Sequence, residues 1–278
     1  MYGSLPQQTA TPDSALTKKV TINTLYKLKT NREKFVVIAL YDAHMAAMAQ
    51  RCGVEVVLIG DSLGMTVLGY DTTLPVTMEH MIYHVEAVAR GNQKSLIVGD
   101  LPFMTYATPA DALRNCARIM QAGAHMVKLE GGAWLAETVS MLAERGIPVC
   151  AHLGLTPQSV NKFGGFRVQG RSQEDAERIL NDAKLLAEAG ADLLVLECVP
   201  PTLAKAITES VNIPTIGIGA GKDTDAQVLV INDILGLTEQ PPKFSKNFLL
   251  EAKDIPGAMQ KYVADVKSGI FPGEENVF

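Results

Sequence analysis

Eight short apolar segments recur along the sequence, and most of them are separated by segments with helical periodicity. Their apolar residues are mostly consecutive rather than alternating with polar residues, which is typical of strands buried on both faces of a parallel sheet. We therefore predict strands at Phe35–Tyr41, Glu55–Ile59, Ser95–Val98, His125–Leu129, Ile147–Ala151, Asp192–Leu196, Pro214–Ile218 and Gln227–Ile231.

Helices are predicted between these strands from their periodic apolar residues. The clearest cover Met78–Arg90, Pro109–Gln121, Leu135–Arg145 and Gln173–Ala189. Three helix-to-strand junctions are similar, each with a glycine suited to ending a helix. They are CGVEVVLIGD at 52–61, AGAHMVKLEG at 122–131 and AGADLLVLEC at 189–198. Eight strand–helix units within about 250 residues favour a closed (βα)8 barrel, the TIM barrel, over an open sheet.

The composition fits one globular domain. Hydrophobic residues make up 47% of the 278 residues, which is enough to bury a large core and excludes a disordered chain. Residues 1–18 are polar and are expected to form a flexible tail, whereas residues 19–278 contain no linker and are expected to form the barrel. The net charge of −5 and the lack of a basic run argue against nucleic-acid binding.

The expected compartment is the cytoplasm. No apolar stretch approaches the ~20 residues that cross a bilayer, and the first residues lack the charged-then-apolar order of a secretion signal. The cysteines are far apart and form no CxxC pair, so we expect reduced core thiols rather than disulfides or a zinc site. They are Cys52, Cys116, Cys150 and Cys198.

Polar residues lie at or just after the ends of the predicted strands, where the catalytic groups of such barrels lie. These residues are Asp61 with Ser62, Asp100, Lys128, Glu130, His152 and Glu197. Four carboxylates at one mouth would repel one another unless a divalent cation binds them or one of them has a raised pKa. Because the ligands are oxygens, Mg²⁺ is the expected ion.

Some polar residues near the strand ends have simpler interpretations. An aspartate after a strand is commonly a helix N-cap, and Asp42, which precedes the helical segment AHMAAMAQ, is interpreted in that way. Lys128 is of the type that forms Schiff bases in barrels. However, Glu130 lies on the same side of the strand and would keep the amine protonated, so we favour a cationic clamp for a substrate carboxylate.

Other motifs are weaker. Gly217, Gly219 and Gly221 resemble a phosphate loop but lack its spacing, so at most they bring backbone close to a ligand. His80 and His84 are four residues apart but lack the glutamate of the zinc protease motif, and we do not favour a metal there.

The chain resembles the ketopantoate hydroxymethyltransferase family over about residues 18–250. The matching segments are IGDSLGM at 59–65, TTLPVT at 72–77, VGDLPFMTY at 98–106, VKLEGG at 127–132, AHLGLTPQ at 151–158, GGFRVQGR at 164–171, LLVLECVP at 193–200, IGIGAG at 216–221 and QVLVINDILGL at 227–237. Tyr70 stands where the family usually has a histidine, and the first strand reads IALYD where Thr-Ala-Tyr-Asp is usual. The segment Asn247–Phe278 matches least clearly.

The resemblance implies a (βα)8 barrel enzyme of pantothenate biosynthesis. Such an enzyme transfers a hydroxymethyl group from 5,10-methylenetetrahydrofolate to 3-methyl-2-oxobutanoate, gives 2-dehydropantoate and needs Mg²⁺. A homo-oligomer, often a decamer in the family, is implied as well. Nothing in the residues themselves indicates folate, so this co-substrate rests on the resemblance alone.

The resemblance also implies roles for individual residues. Asp61 and Asp100 match direct metal ligands, and Glu130 matches a metal partner that acts directly or through water. Glu197 matches the general base. The substrate contacts implied are Ser62, Lys128 and His152, together with Asp61 and Asp100.

The implied chemistry suits these residues. An α-keto acid can chelate Mg²⁺ through its carboxylate and keto oxygens, and the metal then stabilises the enolate formed when the C3 proton is lost. Asp61 and Asp100 account for the metal, which leaves Glu197 free to take the proton. The alternatives are another metal-dependent α-keto acid aldolase or lyase of the phosphoenolpyruvate or pyruvate type, a Schiff-base aldolase through Lys128, and a binding protein without catalysis.

Overall fold

The computed structural model describes residues 15–278. Within this range, eight parallel strands form a closed barrel in which each strand pairs with its sequence neighbours and the last strand pairs with the first. The strands are β1 (Phe35–Ala39), β2 (Val56–Ile59), β3 (Leu96–Asp100), β4 (Met126–Glu130), β5 (Val149–Gly154), β6 (Leu193–Glu197), β7 (Thr215–Ile218) and β8 (Ala226–Val230). The predicted (βα)8 barrel is confirmed.

Eleven α-helices accompany these strands within residues 15–278. They are α1 (Ile22–Asn31), α2 (Ala43–Arg51), α3 (Leu63–Thr66), α4 (Met78–Gly91), α5 (Pro109–Gln121), α6 (Ala136–Glu144), α7 (Val160–Phe163), α8 (Gln173–Glu188), α9 (Pro201–Ser210), α10 (Ile231–Ile234) and α11 (Ile255–Lys267). The four helices predicted most clearly agree with the observed ones to within one residue at each end. Short 3₁₀ turns cover Ala133–Leu135, Pro157–Ser159, Phe248–Glu251 and Glu274–Asn276.

Several strands run further than their apolar segments. β3 includes Asp100, β4 includes Glu130 and β6 includes Glu197. The hydrogen-bonded ladder depends on backbone groups, so a polar side chain does not end it. The polar residues predicted to follow these strands are therefore their last residues, which fixes the directions of their side chains.

Two apolar clusters fill the barrel and its surroundings. Alternate strand residues such as Phe35 and Val37 point into the barrel, whereas their neighbours Val36 and Ile38 pack against the surrounding helices. Leu25 of α1 is fully buried against the inner cluster, so this helix closes the end of the barrel where β1 begins. The dense packing gives the strands the rigidity that a site at the opposite end requires.

The C-terminal part of the chain completes the outer layer. Helix α11 packs beside β1, and the hydroxyl of its Tyr262 donates a hydrogen bond to the carbonyl oxygen of Val37 at 3.2 Å. The rings of Phe248 and Phe271 pack edge-on around Tyr262. This segment, which matched the family least clearly, is thus an integral layer of the barrel.

Several simpler predictions can be compared with the structure. Asp42 is the N-cap of α2 as expected, because its Oδ1 accepts hydrogen bonds from the backbone N–H of His44 and Met45 at 2.8 and 2.9 Å. All four cysteines are buried with free thiols, also as expected. Among residues 15–278, no helix combines the length and hydrophobicity needed to cross a membrane. The tail predicted at residues 1–18 lies mostly outside the described residues and stays a prediction.

Candidate active site

A large cavity of about 1080 Å³ opens at the end of the barrel where the strands terminate. Its floor is made by inward-pointing strand residues. On β4 the column runs from Met126 in the inner apolar cluster to Lys128 and Glu130 in the cavity wall. Because strand residues alternate with a period of two, polar residues placed two positions beyond an inward apolar residue also point inward. The floor of the cavity is therefore polar, and the apolar interior of the barrel lies beneath it.

Three buried carboxylates meet at one side of this cavity. Oxygen atoms of Asp61, Asp100 and Glu130 lie within 4.8 Å of one another, and each residue is at most 4% exposed. Asp100 Oδ1 and Glu130 Oε1 are buried without a hydrogen-bond partner. Burial raises the pKa of Asp61 and Asp100, and the charge of Glu130 raises the pKa of Asp61 further. We call these three residues the acid cluster.

The acid cluster has the donors that a hard divalent cation requires. Carboxylate oxygens are preferred ligands of Mg²⁺, and a cation at this position would satisfy the two unpartnered oxygens while relieving the repulsion among the carboxylates. The residues present thus fit the ion expected from the sequence.

Lys128 lies against the acid cluster. Its ammonium Nζ is 2.6 Å from Asp100 Oδ2 and 3.7 Å from Glu130 Oε1, and Asp100 and Lys128 are register partners on β3 and β4. Burial lowers the pKa of Lys128, but the carboxylates of Asp100, Glu130 and Asp61 outweigh it and hold the pKa above its ordinary value. The amine is therefore protonated, which suits a cationic contact better than a nucleophile.

His152 connects the acid cluster with Glu197. Its Nδ1 is 3.4 Å from Glu130 Oε1 and its Nε2 is 3.3 Å from Glu197 Oε2, although neither contact has hydrogen-bond geometry. Burial and the charge of Lys128 lower the pKa of His152, but the two glutamates outweigh them and raise it to about 9. The side chain of Glu197 is 14% exposed and lines the cavity. A substrate in the cavity can therefore reach this carboxylate.

Ser62 lies at the edge of the same cavity, directly after Asp61. Its Oγ is 2.8 Å from the hydroxyl of Tyr41, a residue that the sequence reasoning did not select. Burial raises the pKa of Tyr41 to about 12, so its hydroxyl stays neutral and able to donate. All seven predicted site residues thus line one cavity, while their individual roles stay predictions.

Gln158 was missed by the sequence reasoning. Its Nε2 donates to Asp61 Oδ2 at 2.8 Å and to the carbonyl oxygen of Leu101 at 2.9 Å, and its backbone N–H donates to Glu130 Oε2 at 3.0 Å. The hydroxyl of Tyr106 donates to the amide oxygen of Gln158 and fixes its orientation. The only available signal was its place at the end of the matching segment AHLGLTPQ.

The glycines at 217, 219 and 221 accommodate side chains of the chain itself. A Cβ on Gly217 would lie 2.5 Å from Thr224 Oγ1, and one on Gly221 would lie 2.7 Å from the Cβ of Pro201. A Cβ on Gly219 would lie 3.0 Å from the ring of Phe278 and 3.1 Å from that of Phe244. Internal packing therefore accounts for the motif that resembled a phosphate loop.

The histidine pair on α4 has other partners. The Nδ1 of His80 accepts from the backbone N–H of Thr77 at 3.3 Å, as part of the N-cap of the helix. The Nδ1 of His84 lies 2.7 Å from the carbonyl oxygen of Tyr41. Both side chains therefore contact backbone groups of the chain itself.

Solved structures of low sequence identity share the barrel. Phosphonopyruvate hydrolase in complex with oxalate and Mg²⁺ aligns with a TM-score of 0.60 at 12% identity, over 78% of this chain and 84% of that chain. A 2,3-dimethylmalate lyase of the PEP mutase/isocitrate lyase superfamily aligns with a TM-score of 0.55 at 15% identity, over 75% and 80% of the two chains. At these identities the likeness shows the fold.

Sequence comparison is more specific. The family model described as ketopantoate hydroxymethyltransferase matches residues 19–274. The 3-methyl-2-oxobutanoate hydroxymethyltransferase of Saccharophagus degradans is 76% identical over 97% of this chain and 99% of its own length. That of Escherichia fergusonii is 56% identical over 94% of this chain and 99% of its own length. With matches that span almost its whole length, the chain belongs to the ketopantoate hydroxymethyltransferase family.

Proposed function

We propose that this enzyme transfers a hydroxymethyl group from 5,10-methylenetetrahydrofolate to 3-methyl-2-oxobutanoate, giving 2-dehydropantoate, and that it uses Mg²⁺. The observation that carries the proposal is the acid cluster with two unpartnered oxygens beside a cavity that also contains Glu197. The family supports the identity of the two substrates, and the geometry supports separate roles for the metal ligands and the base.

Asp61 and Asp100 are proposed as the metal ligands, with Glu130 as a third partner. Gln158 supports this arrangement, because its amide binds Asp61 and its backbone binds Glu130. When bound, Mg²⁺ would act as a Lewis acid on the keto acid and stabilise the negative charge that develops as the C3 proton leaves.

Glu197 is proposed as the base that takes the C3 proton. It is the last residue of β6 and lines the cavity. Among the described residues, His152 is its ion-pair partner. A carboxylate outside the acid cluster keeps its lone pairs available, which a base requires. His152 is proposed to orient Glu197 beside the substrate.

Lys128 and Ser62 are proposed as contacts of the keto acid. The ammonium of Lys128 lies between Asp100 and Glu130 and supplies positive charge on the floor of the cavity, where the carboxylate of a keto acid would be attracted. The hydroxyl of Ser62 is held by Tyr41 at the rim.

In the cell we further propose a cytoplasmic homo-oligomer, a decamer as in much of the family.

The proposed reaction is tested by its requirement for folate. Purified protein is incubated with 3-methyl-2-oxobutanoate and Mg²⁺, with and without 5,10-methylenetetrahydrofolate, and the products are identified by mass spectrometry. We expect 2-dehydropantoate only in the presence of the folate. Cleavage of a keto acid without any folate would instead support a lyase or aldolase of the phosphoenolpyruvate or pyruvate type.

A borohydride experiment tests the Schiff-base alternative. Since the carboxylates around Lys128 hold its pKa above the ordinary value, we expect no covalent adduct when the enzyme and the keto acid are treated with borohydride. An adduct on Lys128 that persists in the presence of a chelator would contradict the metal-dependent proposal.

A further inference from the structure

The cavity extends well beyond the acid cluster, to the side formed by β7 and β8. The acid cluster lies at the ends of β2, β3 and β4, whereas Asp233 follows β8 and Gly219 follows β7. In the closed strand order, β5 and β6 separate the two sides along one arc and β1 separates them along the other, and Glu197 belongs to β6. A small keto acid fills only part of a cavity of about 1080 Å³. The far side is therefore available for a second, larger molecule.

Asp233 is the unusual residue on this far side. It lines the cavity and is only 6% exposed. Its Oδ1 accepts a hydrogen bond from the hydroxyl of Thr238, and within residues 15–278 no lysine, arginine or histidine forms an ion pair with it. A buried carboxylate without a cation is costly unless donors surround it. Asp233 therefore has unused acceptor capacity towards the cavity.

Two aromatic rings lie on the same side. Gly219 has a φ of +61°, and the rings of Phe278 and Phe244 occupy the space where a Cβ would project from it. Both phenylalanines line the cavity, and Phe278 is 37% exposed. Lys243 holds this corner in place by donating to the carbonyl oxygen of Val277. The result is an aromatic wall beside a buried carboxylate, with Lys243 Nζ 5.4 Å from the centroid of the Phe278 ring.

We propose that this far side binds the pteridine ring of the folate co-substrate, with Asp233 accepting from its donor edge and Phe278 contacting its face. A reduced pteridine carries a ring N–H beside an amino group, and such paired donors match the two oxygens of a carboxylate. Its flat ring system suits an aromatic wall. The placement rests on the proposed function, and it positions the one-carbon donor across Glu197 from the acid cluster.

A purely structural role for Asp233 makes a different prediction. In that case the residue would only tie Thr238 to the beginning of α10, where an acidic side chain is favourable. Asp233→Asn keeps an oxygen that can accept from Thr238 but removes the charge and one acceptor. A structural role therefore predicts unchanged ligand affinity in this variant, whereas a pteridine contact predicts weaker folate binding.

Calorimetry with tetrahydrofolate and with 3-methyl-2-oxobutanoate, both in the presence of Mg²⁺, distinguishes these roles. We expect Asp233→Asn to raise the Kd of tetrahydrofolate by about tenfold to a hundredfold and Phe278→Ala to raise it by about threefold to tenfold. The Kd of the keto acid should change by less than about twofold in either variant. The keto acid is proposed to bind on the other side of the cavity, and substitutions at distant sites act independently. Thermal unfolding of each variant confirms that it is folded.

Matched controls are available. Asp192→Asn changes a partly buried aspartate at the opposite end of the barrel, where its carboxylate accepts from the backbone N–H of Val149. Ile270→Ala removes an exposed apolar side chain of the C-terminal segment that does not line the cavity. Both should bind tetrahydrofolate as the wild type does.

Two results would overturn the pteridine placement while leaving the proposed reaction intact. One is an unchanged tetrahydrofolate affinity in both cavity variants when the wild-type enzyme shows folate-dependent turnover. The other is an equal loss of keto acid and folate affinity, which would mean that Asp233 maintains the structure of the whole cavity rather than binding the pteridine. A wild-type enzyme without folate-dependent turnover would instead refute the proposed function itself.

Discussion

Glu197 differs from the other carboxylates of the cavity in its surroundings. The acid cluster is bound by Lys128 and Gln158, whereas Glu197 has His152 as its ion-pair partner among the described residues and a side chain that is 14% exposed. A metal ligand donates its lone pairs to the ion, but a base must keep one for a proton. These surroundings favour the base role for Glu197.

The base role predicts a selective defect in Glu197→Gln. The amide has nearly the same shape but cannot accept the C3 proton, so exchange of that proton into heavy water should fall by about 10²–10⁴. NMR follows the exchange, and calorimetry should show that Mg²⁺ and the keto acid still bind. Exchange at a nearly wild-type rate would remove Glu197 from this role.

Individual site residues differ in how far the sequence could predict them. Lys128, Glu130 and Asp100 continue inward columns of their strands, so the period of two predicts them once a barrel is assumed. Asp61 and Gln158 lie beyond β2 and β5 and are bound to each other although 97 residues separate them. Such a contact depends on the closed strand order, and for Gln158 no local pattern could reveal it.

Whole elements were more predictable than side-chain partners. Continuous apolar runs located all eight strands, because each strand is covered on both faces. The strand ends were less predictable, since β3, β4 and β6 continue through charged residues that face the cavity. The role of α1 was also not predictable, because its amphipathic pattern does not reveal which end of the barrel its apolar face covers.

The packing of α1 gives a prediction at this scale. Leu25→Ala should lower the free energy of unfolding by about 2–5 kcal/mol, because it leaves a cavity beneath the inner cluster. Leu250→Ala is the matched control, because Leu250 is 83% exposed and should change stability by less than about 0.5 kcal/mol. Denaturant titration measures both. Equal effects in the two variants would contradict the proposed burial of α1 at the barrel end.

At the scale of the whole molecule, the site places negative charge in excess inside the barrel. Three buried carboxylates and Glu197 face one lysine and His152, and burial raises the pKa of Asp61 and Asp100. Repulsion in a poorly solvated interior opposes folding. A bound cation would relieve this repulsion, so metal binding and stability are coupled.

This coupling predicts that Mg²⁺ stabilises the fold. At a concentration of about 100 times its Kd, the ion should add about 2.7 kcal/mol to the free energy of unfolding. For a domain of this size the Tm should rise by about 2–4 °C per kcal/mol. Calorimetric scans with Mg²⁺ and with a chelator measure the shift. Asp100→Asn should reduce it and Asp192→Asn should not, whereas a Tm insensitive to the ion in the wild type would argue against the metal site.

Deuterium exchange at C3 of 3-methyl-2-oxobutanoate examines the acid cluster and Glu197 together. The wild-type enzyme is incubated with the keto acid in heavy water, without folate, before and after removal of Mg²⁺ by a chelator. We expect exchange that needs Mg²⁺ but not folate, is lost with the chelator and returns when the ion is restored. Exchange that continues undiminished in the chelator would contradict a mechanism in which the acid cluster binds the metal and Glu197 takes the proton.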